Sequence, residues 1–194
     1  MHGMPTFIAY YTKDTPYERE AEVLRESLET LNLPYAFYPV ECRGSWQANT
    51  QLKAEVIYSV LCARFNHICY IDVDAVVLHR PTHLLKLRHM PVDVSVYVSL
   101  GGAWKSGTIY FACNDKSRRL VDRWIEINKE YPETLPDGRE AWDQRTLQMA
   151  WEDTREAQFA PLPPEYTYTV GYSQEAHPEV NPIILHTRGA LKHK

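Results

Sequence analysis

The chain has 194 residues, 44% hydrophobic and 24% charged, with a net charge of −4, which fits one globular domain and excludes a disordered or fibrous chain. The negative balance supplies no long-range attraction for a phosphate backbone, so nucleic acid is not indicated as a partner. No stretch approaches the ~20 apolar residues that cross a bilayer. The first residues carry no basic, apolar leader, and Cys42, Cys62, Cys69 and Cys113 form no CxxC pair. A cytoplasmic domain spanning 1–194, with reduced core thiols, is the expectation.

Thr6 to Thr12 is β-branched and aromatic and reads as a buried first strand. Ala21, Leu24, Leu28 and Leu31 then recur at helical spacing, and Thr15-Pro16 gives an N-cap followed by a first-turn proline, so the spacing predicts a helix over 17–31. Pro34 opens a second strand, 35–40. A loop with Gly44 leads into a helix over 47–64, whose Leu52, Val56, Val60 and Leu61 face inward. The third strand is Ile68-Cys69-Tyr70-Ile71-Asp72. Strand and helix alternating three times implies right-handed crossovers and a parallel, Rossmann-like sheet.

Strands at 92–100 and 107–112, separated by a short Gly-rich segment, predict antiparallel pairing in the second half. Helices are predicted over 116–128 and 142–151, and Pro161 to Pro164 reads as extended loop. The fold class expected is therefore α/β, with a mixed, mainly parallel central sheet. The 13 tyrosines and 5 tryptophans suit stacking on bases and sugars as well as half-buried packing.

Asp72 and Asp74 stand two apart where a buried strand ends and a loop begins. Ligands of parallel α/β sheets bind at the carboxyl ends of strands. Two carboxylates there offer hard oxygen ligands for Mg²⁺ or Mn²⁺, which would neutralise a diphosphate. On the motif alone an ordinary acidic turn remains an equal alternative.

The Asp-x-Asp after a hydrophobic strand, preceded by a nucleotide-type βαβ unit, resembles the metal motif of GT-A glycosyltransferases. Ile183 to Lys192 contains His186, Gly189 and Lys192 and resembles the His-x-x-Gly-x-x-Lys signature of the glycogenin and lipopolysaccharide galactosyltransferase-like enzymes. That resemblance implies His186 as third metal ligand, Gly189 close to a phosphate, and Lys192 stabilising the departing nucleotide. Trp46, Asn49 and Lys53 share a helix face. By resemblance Lys53 reaches the donor sugar or phosphate, and a solvated surface lysine is the alternative.

Trp104 to Phe111 is similar to the family's Asn-x-Gly strand, with Ser106 standing at the Asn position. Glycines 101, 102 and 107 read equally well as loop punctuation. Asp143 and Gln144 resemble the Asp-Gln helix start that points at the transferred sugar, Asp143 toward its hydroxyls and Gln144 beneath the anomeric carbon; the same pair is also an ordinary first helical turn. Tyr11, Thr12, Asp14 and Tyr17 align with the base-binding loop, Tyr17 being the candidate for stacking on uracil. The resemblance thus implies a single-domain GT-A fold and a metal-dependent hexosyltransferase using a UDP-sugar, with retention of configuration and an acceptor that cannot be read.

Two rival readings start from the same residues. A haloacid-dehalogenase-like phosphatase also places Asp-x-Asp after a buried strand, with its first Asp as nucleophile. A non-catalytic sugar-nucleotide-binding domain would keep the aromatic residues but would have no use for metal ligands.

Overall fold

The computed structural model describes residues 3–63 and 67–187. The elements run β1 (Thr6–Thr12), α1 (Tyr17–Thr30), β2 (Tyr35–Val40), α2 (Trp46–Ala63), β3 (Ile68–Ile71), β4 (Ala75–Val77), α3 (His83–Leu87), β5 (Val94–Val98), β6 (Trp104–Phe111), α4 (Asp115–Glu130), α5 (Asp143–Thr154), β7 (Phe159–Pro161), a 3₁₀ turn (Pro164–Tyr166), β8 (Tyr168–Thr169), α6 (Tyr172–Ala176) and β9 (Ile184–His186). The N-cap of α1 is Pro16, one position later than the sequence places it, and the Thr15 hydroxyl just before it accepts the Tyr17 amide at 3.3 Å. Asn114 caps α4 by accepting from the Ser117 amide at 3.0 Å.

Six strands form the central sheet in the order β2-β1-β3-β6-β5-β7. β1 pairs parallel with β2 and β3, and β5 with β7, while β6 runs antiparallel to both its neighbours. Only β6 therefore opposes the other five, which is the mixed, mainly parallel sheet that the sequence predicts. Alternate residues serve opposite faces, as a strand's period of two requires. Ile8, Ile68, Tyr70, Ile109 and Phe111 pack with α2, α4 and α5, where Trp124 is fully buried and donates to Thr146 Oγ1 at 2.9 Å. Phe7, Ala9, Cys69, Ile71 and Tyr110 pack with Leu24 and Leu28 of α1 and with Leu84 and Leu87 of α3. Each fully buried side chain of this size contributes roughly 1.5–3 kcal/mol relative to exposure.

A second sheet, β4-β9-β8, is absent from the sequence reading apart from the apolar run before His186. Its strands are two or three residues long, too short for periodicity to register. Other corrections are smaller. Trp104, Lys105 and Ser106, read as a connecting segment, belong to β6 because they continue its ladder. Pro161, read as loop, pairs with Val96 on an edge strand, where a missing N–H is tolerated. Of the four cysteines expected as core thiols, only Cys69 is buried; Cys42 and Cys62 are exposed and Cys113 is half-buried. No described helix is long and apolar enough to cross a membrane.

Candidate active site

Two ladders assemble the acidic site. The β3/β6 ladder continues one step past β3, with the Asp72 amide donating to the Gly107 carbonyl at 2.8 Å. A turn follows, closed by the Ala75 amide on the Asp72 carbonyl at 3.1 Å, and β4 then pairs with β9 in a register that sets Ala75 opposite His186. His186 Nδ1 consequently lies 3.6 Å from Asp74 Oδ1. One ligand atom from each of Asp72, Asp74 and His186 lies within 4.8 Å of the others. Two ligands of one ion with bonds of roughly 2.1 Å stand at most about 4.2 Å apart, so a modest side-chain closure suffices.

His186 is 5% exposed, and its Nε2 lies 3.0 Å from Thr108 Oγ1. When Nε2 carries the ring hydrogen and donates to that hydroxyl, the Nδ1 lone pair faces Asp74 and is available to a cation. The ring also lies directly over Gly107: a Cβ there would sit 2.9 Å from His186 Cε1 and 3.2 Å from Nδ1. Gly107 is thus a close-approach glycine. The β5/β6 register breaks between Val96 and Tyr97, whose partners are Ile109 and Lys105. That irregularity frees Ser106, Gly107 and Thr108 from β5, and these are the three residues of β6 that meet the site. Bulges beside active sites re-aim side chains in this way.

Lys53 on α2 is 3% exposed. Its ammonium bridges Asp72 Oδ1 at 2.9 Å and Asp143 Oδ2 at 2.5 Å, with the Ser106 carbonyl at 3.2 Å and the Tyr70 ring centroid at 5.0 Å. Burial pulls its pKa down, but Asp143 and Asp72 outweigh burial and hold it above the ordinary lysine value. Tyr70 donates to the same Asp72 Oδ1 at 2.8 Å, which leaves Oδ2 for another partner. Ser106 donates to Asp143 Oδ2 at 2.7 Å, leaving Oδ1 of that carboxylate.

A cleft of about 160 Å³ opens over this cluster, walled by aromatic residues including Tyr10, Tyr11, Tyr17, Trp46 and Tyr70. Its lining residues include three carboxylates, Asp72, Asp74 and Asp143, and one ammonium, Lys53, an acidic balance that suits a cation. Burial raises the pKa of Asp72, Lys53 draws it back, and Asp74 and Asp143 push it up again, so it stays above the ordinary aspartate value. Burial, then Asp74 and Asp72, likewise raise the Tyr17 phenol, which places Tyr17 near the acidic end of the cleft.

No family model matches the chain, and no curated protein matches it by sequence. Solved structures do match. A glycosyltransferase involved in glycosylation of the major capsid of PBCV-1 superposes with a TM-score of 0.73 at 13% identity, over 96% of this chain and 93% of that one. The galactosyltransferase LgtC, solved with donor and acceptor sugar analogs, gives 0.62 at 13% identity over 95% and 87%. The chain has a GT-A-type glycosyltransferase fold. It spans 54% of the glycosyltransferase GlyE of Streptococcus pneumoniae TIGR4, with a TM-score of 0.67 and 17% identity.

Within this GT-A fold most of the expected residues converge. Tyr11, Thr12, Tyr17, Lys53, Asp72, Asp74 and Asp143 line the cleft, and His186 joins the two acidic ligands. Others lie elsewhere. Asp14 is not among the residues lining the cleft: it occupies the exposed turn before α1 at φ 56, its amide bonded to Glu18. Ser106 is 4% exposed and supports Asp143 and Lys53 from behind. Lys53 is buried and so is not a solvated surface lysine, and two carboxylates hold its ammonium at the cleft lining. Gln144 faces a second cleft beside the first. Gly189 and Lys192 lie outside the described residues.

Sequence reasoning missed Tyr70, Thr108 and the task of Gly107. Tyr70 was detectable, since it precedes Asp72 by two on one strand and therefore shares its face. Thr108 and Gly107 were not, because their contact with His186 depends on register across more than 75 residues of chain.

Proposed function

We propose that the chain is a metal-dependent glycosyltransferase that moves a hexose from a UDP-sugar to an acceptor hydroxyl with retention. The observation that carries this reading is the Asp72, Asp74 and His186 donor set, two of whose members line an aromatic cleft that also holds Asp143 and Lys53. Two hard carboxylates and one imidazole suit Mn²⁺ or Mg²⁺. When bound, the cation would neutralise the donor's diphosphate and the charge that builds on it as it leaves.

The chain's own residues do the positioning. Lys53, Tyr70 and Ser106 hold Asp72 and Asp143 by one oxygen each, so Asp72 Oδ2 and Asp143 Oδ1 need no reorganisation before meeting the donor. Asp143 Oδ1 accepts from hydroxyls of the transferred sugar. Tyr17, with Tyr11 and Thr12, forms the surface against which uracil stacks. In the transfer the acceptor oxygen bonds the anomeric carbon, and the bond from that carbon to the diphosphate breaks with its electron pair on the diphosphate. The acceptor proton departs with the diphosphate. A phosphatase using Asp72 as nucleophile leaves His186 beside Asp74 without a task, and a non-catalytic binding domain leaves the whole donor set without one.

Nucleotide-sugars incubated with the protein in Mn²⁺, Mg²⁺ or EDTA test this reading. Metal-dependent UDP release from a UDP-hexose is expected, and UDP with metal should raise the melting temperature more than ADP or GDP. No metal-dependent release from any donor would refute the enzyme, and equal shifts for all three nucleotides would remove uracil recognition.

A further inference from the structure

The second cleft, of about 200 Å³, is lined by Tyr97, Lys105, Gln144, Thr167 and Tyr172 among others. It meets the first at one peptide, because Asp143 lines one cleft and its neighbour Gln144 the other. Consecutive Cα atoms are about 3.8 Å apart, so the two clefts adjoin at this peptide. Three features of the second cleft await a ligand. Thr167 is 4% exposed and its Oγ1 is buried without any hydrogen-bond partner, a state that costs about 1–3 kcal/mol unless something fills it. Tyr172 is 45% exposed and presents an aromatic face at the mouth. Lys105 places its ammonium 4.9 Å from the Tyr172 ring centroid, and no carboxylate pairs with it among the described residues.

We propose that this cleft is the acceptor pocket and that it selects a saccharide carrying an anionic group. The inference rests on the glycosyl-transfer reading of the first cleft. A sugar ring covers the Tyr172 face with its C–H surface and offers hydroxyls to Thr167 and to the Gln144 amide. An acidic substituent on that ring gives Lys105 the anion it lacks. The contrast with Lys53 supports the assignment: Lys53 is saturated by two carboxylates, whereas Lys105 rests only on a ring. A carboxylate and a phosphate share this chemistry.

Ligand-observed NMR with UDP and diamagnetic Mg²⁺ present, using neutral, carboxylated and phosphorylated mono- and disaccharides, tests the proposal. An acidic saccharide should bind about tenfold or more tightly than its neutral counterpart, since a hydrogen bond to a charged group is worth 1.5 kcal/mol or more. The relative affinity of uronides and sugar phosphates identifies which anion is preferred. Lys105→Gln should erase the preference and Lys105→Arg should keep it, while Tyr172→Ala weakens neutral and acidic ligands alike. Melting temperature and Mn²⁺-dependent UDP binding report that each variant is folded. Equal affinity for neutral and acidic sugars, a preference that survives Lys105→Gln, or binding of no saccharide overturns the proposal. Failure of UDP to bind wild-type protein would instead refute the donor reading, and is read separately.

Discussion

The two clefts that meet at Asp143 and Gln144 are built on opposite plans. In the first, the ionic groups are tied to one another: Lys53 bridges Asp72 and Asp143, and Tyr70 and Ser106 complete the pairing. In the second, among the described residues, the Thr167 hydroxyl has no hydrogen-bond partner and Lys105 pairs with no carboxylate. A buried, mutually paired site is part of the fold, so damage to it should appear as lost stability together with lost function. A site whose polar groups await a ligand can be altered with little effect on folding. The difference separates the chain's structural electrostatics from its recognition electrostatics.

Replacing Lys53 breaks the comparison most directly. Lys53→Met would leave two carboxylates facing each other in a buried setting and should destabilise the protein by about 3–5 kcal/mol, the usual result of removing one partner of a buried pair. Adding Asp143→Asn should restore part of that loss in denaturant unfolding without restoring turnover. A Lys53→Met variant as stable as wild type would show that the ammonium is not part of the fold.

Gly107→Ala is next in size. Its new methyl group would displace the His186 ring, so Mn²⁺ affinity by calorimetry should fall roughly 10–100-fold, the range seen when the groups orienting a metal ligand are lost. Thr108→Val, which removes the bond to His186 Nε2, should fall at the lower end of that range, with Thr108→Ser recovering most of the affinity. Unchanged Mn²⁺ affinity in both would remove the imidazole from the metal site. Lys105→Gln should do least, shifting unfolding free energy by no more than about 0.5 kcal/mol. A larger loss would make the second cleft structural like the first and erase the distinction.

The order of β1 to β3, the helices between them and the position of Asp72 and Asp74 at a strand end were legible because long strands and amphipathic helices carry their periods locally. His186 was reached only through motif resemblance. Its meeting with Asp74 depends on the three-residue ladder β4/β9, which leaves no periodic trace. The ion pairs of Lys53 were hidden for a related reason: its helix face was readable, but the two carboxylates that hold it come from the end of β3 and from α5, and sequence spacing does not report such long-range pairing.

The central claim is that Asp72, Asp74 and His186 hold a divalent cation that the nucleotide needs, and calorimetric titration of UDP into wild-type protein and Asp74→Ala, each with Mn²⁺ and with EDTA, tests it most directly. Wild type should bind UDP strongly only with Mn²⁺, and Asp74→Ala should lose that binding while melting close to wild type, because a carboxylate at the end of a turn contributes little to packing. UDP binding of equal strength with Mn²⁺ and with EDTA, or an Asp74→Ala variant that retains wild-type affinity, would contradict it.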